Sequence, residues 1–463
     1  MEKKPNVVFV FSDQHRLQAT GYAGDPNVST PVMDWLAGNR VNFSTAVSAV
    51  PVCSPYRACL LTGQYPLTHG VFVNDVNLAH RSTTLADAFA QAGYHTAYIG
   101  KWHLDGHGRS SFIPAERHLG FDFWQVLECS HNYNESYYYE GSDPTVRQWE
   151  GYDAEAQTRA AQAYIRRREK GKPFMLMLSW GPPHNPYQTA PQAFREMYSP
   201  EDIQLRPNVP AQDEQVAKKQ LAGYYAHVSA LDQYLGELLQ TVRDEGIEED
   251  TIFIYTSDHG DMLWSQGQQR KQRPWDESIL VPFLLSYPAL LGTQGKQVSI
   301  PFNSPDIMPT LLGLCGIPIP PAVEGINYAP YLLGETREYN EAALIECIQA
   351  FGEWYPPYFP LAREYRGVRT ERYTYVRDLN GPWLLYDNLE DPYQTKNLCG
   401  MQSHQELQAR LDEILHKMLK ERGDDFRPGI EYMKLWNYSA DRTGTVPFSD
   451  ILYDNSRYFR EQE

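Results

Sequence analysis

The sequence predicts an α/β fold: a large, mainly parallel central sheet sandwiched by helices, followed by a smaller C-terminal α+β subdomain. Three observations carry that expectation. Short continuous apolar runs recur, as strands buried on both faces require. They alternate with amphipathic stretches of helical period, the pattern of parallel strands joined by crossovers. Beyond about residue 335 the alternation gives way to hairpin-like segments, so the expected division is 1–335 and 336–463.

Val7-Val8-Phe9-Val10-Phe11 is the first apolar run, and it ends at Ser12-Asp13-Gln14. Thr30-Pro31 then opens a helix through Ala37, with threonine as cap and proline in the first turn. Thr84 to Ala92 reads as another helix, closed by Gly93. The strand Thr96 to Ile99 runs into Gly100-Lys101-Trp102-His103, and Phe174 to Trp180 ends in Gly181-Pro182-Pro183-His184. Between Gln215 and Asp244, Tyr224, Val228, Leu231, Leu235, Leu238 and Val242 form one apolar helical face. Thr251 to Thr256 is the next strand and ends at Ser257-Asp258-His259-Gly260; Val281 to Ser286 is a fifth. Residues 107–150, aromatic and irregular, read as loops over the sheet edge. In the C-terminal part, Tyr365 to Val376 and Trp383 to Asn388 predict antiparallel strands, with a helix over 403–421 packed on them.

The chain has 463 residues, 42% hydrophobic and 21% charged, which is ordinary for a globular protein. Its net charge of −17 argues against nucleic acid or an anionic membrane as partner. A local basic pocket could still hold a small anion. No apolar run approaches the ~20 residues of a membrane span. The N-terminus enters a strand directly, so a cytoplasmic location is expected of the chain as it stands, or a periplasmic or secreted one if a leader was removed. The six cysteines are dispersed and lack CxxC pairs, which suggests neither a zinc knuckle nor a disulfide framework. Tyrosine is abundant, with 32 residues. Tyr137-Tyr138-Tyr139 and Trp354-Tyr355-Pro356-Pro357-Tyr358 could stack on sugar rings or simply fill core and loops.

Polar residues with catalytic potential follow four of the predicted strands: Asp13 and Gln14, Lys101 and His103, His184, and Asp258 and His259. Ligands of open α/β sheets bind beyond the carboxyl ends of the strands. Asp13, Gln14 and Asp258 offer hard oxygen ligands suited to calcium or magnesium; His259 could add a nitrogen or only a hydrogen bond.

The segment Val52-Cys53-Ser54-Pro55-Tyr56-Arg57-Ala58-Cys59-Leu60-Leu61-Thr62-Gly63 carries the strongest signal. Cys53 and Ser54 lie just before a helix opened by Pro55, where free amides and the helix dipole favour an anion. Arg57 adds a permanent charge one turn in, so a cysteine there should be reactive. Cys59, among apolar neighbours, reads as structural. Cys-x-Pro-x-Arg followed by Leu-Thr-Gly resembles the signature of the type I sulfatases, members of the alkaline phosphatase superfamily. The resemblance extends over Gly100-Lys101-Trp102-His103, Pro182-Pro183-His184 and Ser257-Asp258-His259-Gly260.

That resemblance implies an alkaline phosphatase-like fold and a sulfuric ester hydrolase. Cys53 would be oxidised by a separate maturation enzyme to Cα-formylglycine, whose hydrate is the nucleophile. Asp13, Gln14, Asp258 and His259 match the calcium positions, although many relatives carry aspartate and asparagine where this chain has Gln14 and His259. Arg57 matches the residue that steadies the formylglycine, and Lys101 and His103 the pair beside it. His184 matches a sulfate-contacting histidine, expected to protonate the leaving group, and His103 the base that releases sulfate. Lys271 matches the lysine that holds sulfate, with Arg270 and Arg273 close by. The implied substrate is a sulfate ester on a carbohydrate, N-acetylglucosamine 6-sulfate among them, or on an aryl group. Two alternatives stand beside this: a phosphonate monoester or phosphodiester hydrolase of the same superfamily, and a non-catalytic sulfoglycan-binding protein.

Overall fold

The computed structural model describes residues 4–356 and 359–448. Ten strands form the main sheet: β1 (Asn6–Asp13), β2 (Val41–Phe43), β3 (His95–Lys101), β4 (Phe123–Leu127), β5 (Tyr137–Glu140), β6 (Asp143–Gln148), β7 (Phe174–Pro183), β8 (Thr251–Ser257), β9 (Phe283–Ser286) and β10 (Lys296–Val298). Their spatial order is β10-β2-β9-β8-β1-β7-β3-β4-β5-β6. The central strands β8, β1, β7, β3 and β4 are mutually parallel. β9 runs antiparallel to β8, so the fifth predicted strand breaks the parallel pattern.

The uninterrupted apolar runs have a direct cause: both sheet faces are buried. In β1, Val7, Phe9 and Phe11 enter one core while Val8 and Val10 enter the other. The alternation repeats in β7, with Met175 and Met177 against Leu176 and Leu178. Helices α1 (Pro31–Asn39), α2 (Cys53–Thr62), α3 (Leu85–Gln91), α4 (Asp153–Arg167) and α5 (Glu214–Asp244) cover the sheet. α2 and α3 pack on the first core; α1, α4 and α5 pack on the second. All six apolar positions predicted on α5 are buried, each worth about 1.5–3 kcal/mol for a side chain of that size.

Local details depart from expectation at three places. Thr30 does not cap α1 with its side chain. Its hydroxyl donates to Asp34 Oδ1 at 3.0 Å, and the carboxylate of Asp232 on α5 accepts from Val32 and Met33 N at 3.0 and 2.8 Å. Thr84 does cap α3, in a reciprocal pair with Asp87. α2 begins at Cys53 itself, so Pro55 lies inside its first turn. Residues 107–150, expected to be loops, contribute β4, β5 and β6 to the sheet edge. β6 is mostly exposed, which is why it lacks an apolar pattern; Tyr138 stacking on Trp149 at 3.9 Å anchors its neighbour β5.

A four-stranded antiparallel sheet follows: β11 (Ala342–Cys347), β12 (Tyr365–Thr370), β13 (Tyr373–Asp378) and β14 (Gly381–Asp387). The run Tyr365 to Val376 thus folds back on itself as a hairpin. Helix Gln405–Glu421 seats Leu411, Leu415 and Leu419 against Leu344, Val368 and Leu385 on one face of this sheet. Ile345, Tyr365 and Val376 on the other face pack with Met262, Trp275 and Ile279.

Candidate active site

The parallel strands deliver their carboxyl ends to one place. Asp13 ends β1 and Gln14 follows it; Lys101 ends β3; His184 follows β7; Asp258 and His259 follow β8. Cys53 arrives at the start of α2, and Lys271 comes from the loop between β8 and β9. Glycine is required where strands crowd the site. A Cβ on Gly100, at φ +104°, would lie 2.1 Å from Ser179 O, and one on Gly260 would lie 2.0 Å from Glu277 O.

Cys53 Sγ lies 3.7 Å from Asp13 Oδ1 and 3.4 Å from His259 Nε2, and accepts from Lys271 Nζ at 3.1 Å. Ligand atoms of Asp13, Cys53, Asp258 and His259 lie within 4.8 Å of one another, all buried. Arg57 donates through Nη2 to Asp13 and Asp258 at 3.4 and 3.1 Å, and through Nη1 to Lys101 O and Ser179 Oγ at 2.9 and 2.8 Å. Lys101 Nζ donates to Asp13 Oδ2 at 2.5 Å. Each buried carboxylate therefore has a cation, without which its burial would cost several kcal/mol.

These contacts set the protonation states. Burial alone would push the Asp13 carboxyl up; Lys101 and the neighbouring cations outweigh it and hold Asp13 well below the usual range. Burial and the adjacent Asp13 charge push Asp258 up. Burial and Asp13 raise the Cys53 thiol, but Lys101, Lys271 and His259 overcome both and leave it well below an ordinary thiol. Cys59 goes the opposite way, raised by burial and Glu346, consistent with an inert core residue.

The donor set fits a hard divalent cation. Two carboxylates converge, and Gln14 Oε1 is a buried acceptor without a hydrogen-bond partner. His259 donates Nδ1–H to Gly260 O at 2.9 Å, which turns Nε2 toward the cluster; against burial, the Asp258 charge raises this histidine to about 10, so Nε2 carries a proton that a bound cation would displace.

Two histidines stand further out. His184 Nδ1 donates to Asn185 O at 2.8 Å, Nε2 accepts from Lys271 at 2.9 Å, and the ring stacks on His131 at 4.3 Å. Burial, then the charges of Lys271 and His131, hold His184 neutral, well below the ordinary histidine range. His103 donates through Nε2 to Asp75 Oδ1 at 3.2 Å, leaving Nδ1 buried and without a partner. Arg109 clamps that aspartate with two bonds of 2.8 Å. Gln14, His103, Arg270 and Gln272 all have positive φ, between 59° and 72°, backbone strain of the kind that collects at functional sites.

Sequence reasoning missed Asp75, Arg109, His131 and Asp261, which lie on loops, and Ser179, which lies inside β7. Of the two readings open for the aromatics, Tyr139 and Trp354 take the core one. Tyr139 is buried with its hydroxyl on Ser110 O, and Trp354 is fully buried beneath Arg273, 4.6 Å from its ring. Pro357 and Tyr358 lie outside the described residues. The cavity over Cys53, about 340 Å³, is lined instead by Arg109, Arg270, Phe351, Glu353 and Phe448 beside the catalytic candidates.

The sulfatase family pattern matches residues 5–317, and the pattern of the N-sulphoglucosamine sulphohydrolase C-terminal region matches residues 266–421. The chain belongs to the sulfatase family. The enzyme is 44% identical to an ulvan-active sulfatase of Formosa agariphila over 94% of this chain and 85% of that one. It is 30% identical to an endo-4-O-sulfatase of Bacteroides thetaiotaomicron, over 91% and 92% of the two chains. It superposes on a solved Bacteroides thetaiotaomicron sulfatase from work on glycosaminoglycan metabolism with a TM-score of 0.83, at 28% identity, covering 91% of this chain and 97% of that one. Its alkaline phosphatase-like architecture is that of these relatives. Among the described residues, no helix is long and apolar enough to cross a membrane.

Proposed function

We propose that this sulfatase hydrolyses a sulfate monoester on a carbohydrate, with residue 53 working as Cα-formylglycine after oxidation by a separate maturation enzyme. Asp13, Gln14, Asp258 and His259 would hold a calcium ion. The observation that carries the reading is the position of Cys53 Sγ, 3.1 Å from Lys271 Nζ and 3.4 Å from His259 Nε2 at the centre of the buried carboxylate cluster. Once formed, the aldehyde supplies a hydrated carbon whose hydroxyl attacks sulfur, and the cation supplies Lewis acidity.

The chain's own residues divide the remaining work. Arg57 and Lys101 fix and neutralise the carboxylates, so that the reacting position keeps its geometry. Lys271 holds the sulfate oxygens and offsets the charge that grows in the transition state. A neutral His184, whose Nε2 accepts from Lys271, has no proton of its own to give from that atom. The leaving oxygen is therefore protonated by the Lys271–His184 pair, a revision of the single-residue role expected for His184. A His103 that has given up its own proton would take at Nδ1 the proton that releases sulfate; against burial, the Cys129 charge and the Asp75 hydrogen bond raise this histidine well above its ordinary range and so favour the imidazolium that the step forms.

The carbohydrate part of the reading is supported by the activities of the relatives, an ulvan-active sulfatase and an endo-4-O-sulfatase. The test is sulfate release by the purified enzyme from sulfated polysaccharides, sulfated monosaccharides including N-acetylglucosamine 6-sulfate, nitrophenyl sulfate and an aryl phosphodiester. Faster turnover of a sulfated carbohydrate than of nitrophenyl sulfate is expected. Preference for the phosphodiester would replace the reading with the phosphonate and phosphodiester alternative.

A further inference from the structure

We propose that Asp261 is a positioning residue that decides which end of the Gln14 side chain faces the cation site. The inference deepens the reading above and rests on Gln14 being a ligand. Most hard-metal ligands are carboxylates, which present an acceptor whichever way they turn. Glutamine does not: one end accepts and the other donates. A neutral ligand at position 14 therefore needs something to hold its carbonyl outward.

Asp261 is buried and does this. Its Oδ2 accepts from Gln14 Nε2 at 2.6 Å and from Tyr187 OH at 2.6 Å. Its Oδ1 accepts from Leu263 N and Arg270 N at 3.0 and 2.9 Å. All four partners are donors, so only an acceptor can occupy this position. The Gln14 amide is thereby oriented with Nε2 inward, and Oε1 is left buried with no protein partner. The backbone agrees: Gln14 has φ 72°, and its N–H donates to Asp258 Oδ1 at 3.0 Å, tying it to the cluster.

The change Asp261→Asn would invert the arrangement. The single carbonyl oxygen of the new amide would stay on the two backbone N–H groups, which cannot move. Its NH2 would then face Gln14 and Tyr187. The tyrosine hydroxyl can switch to accepting, but Gln14 can respond only by turning its carbonyl inward. Donor hydrogens would then face the cation. The second change Gln14→Glu would escape the conflict, since one carboxylate oxygen could accept from the introduced amide while the other faced the ion. In the unaltered background the same Gln14→Glu change would press a carboxylate against Asp261 at the present 2.6 Å contact.

The test is calorimetric titration of calcium chloride into chelator-stripped protein, with melting temperature as a fold control. Asp261→Asn is expected to weaken calcium binding by roughly 10- to 100-fold, the usual cost of losing a group that orients a metal ligand, and Gln14→Ala, which removes the ligand itself, by at least as much. The double variant Asp261→Asn with Gln14→Glu is expected to recover most of that loss, and Gln14→Glu alone is expected to bind no tighter than wild type. Wild-type affinity in Asp261→Asn, with weakened binding in Gln14→Ala, overturns the inference and leaves the ligand assignment standing. Wild-type affinity in Gln14→Ala overturns the ligand assignment itself, and this inference with it. Should Asp261→Asn fail to fold, tighter binding by Gln14→Glu alone also overturns the proposal.

Discussion

Replacing Lys271 by alanine separates chemistry from folding more cleanly than any other change in the site. Its ammonium lies 3.1 Å from Cys53 Sγ and 2.9 Å from the neutral His184 Nε2. Neither contact is with a carboxylate, so removing Lys271 breaks no buried carboxylate ion pair. A full unit charge at about 3 Å, with an effective dielectric of about 20, would interact by about 5 kcal/mol. The charge that develops on the sulfate oxygens in the transition state is partial, so about 3 kcal/mol is the reasonable share. That corresponds to roughly a 10²-fold fall in kcat, within the range for losing one donor to a developing oxyanion. Removing the neighbouring charge also relieves part of what holds His184 neutral, so the pKa of that histidine should rise, although burial, the larger cause, remains. Steady-state kinetics on nitrophenyl sulfate across pH, alongside a melting curve, measure both effects. A kcat within about threefold of wild type at an unchanged melting temperature would refute the role of Lys271 in catalysis.

Three further outcomes are expected. Cys53→Ala should abolish turnover with the fold retained, and intact mass of the active enzyme should show residue 53 lighter by about 18 Da than cysteine; an unmodified thiol in fully active protein would end the formylglycine reading. Lys101→Ala should behave unlike Lys271→Ala, because it takes away the nearest cation of Asp13, at 2.5 Å, and leaves Arg57 at 3.4 Å; outright loss of a buried partner typically costs about 3–5 kcal/mol, so a destabilisation below that range is expected, and an unchanged melting temperature would count against the pairing. Asp153 is pushed up to about 8 by burial, despite bonds from Ser136 and Ala154. Its folded state therefore binds a proton that the unfolded chain has already released, and stability falls as pH rises from about 4 to 8. Asp153→Asn should remove that slope, with a melting-temperature advantage over wild type that is larger at about pH 8 than at about pH 5; no pH-dependent difference would refute it.

How far the site could be read in advance depended on what kind of signal each residue carried. Asp13, Lys101, His184 and Asp258 were legible because each follows an apolar run, and parallel strands must release their carboxyl ends on one side. Asp75, Arg109, His131 and Asp261 were not. Each is one polar residue among many until the fold sets it against His103, His184 or Gln14. The edge strand β6 escaped detection for a related reason: a strand exposed to solvent has no need of an apolar pattern.

Local chemistry along the chain determined where strands and helices form, which residues leave the strand tips and that Cys53 sits in an anion-attracting turn, because these follow from side-chain period and neighbouring residues alone. Only tertiary structure decided that Asp232 rather than Thr30 serves the amides of α1, that Tyr139 and Trp354 are core instead of platform, and that Asp261 turns the Gln14 carbonyl outward. Those choices are made by contacts between residues far apart in the chain. A buried donor or acceptor takes whichever partner the folded chain brings within about 3 Å, and sequence order does not encode that distance.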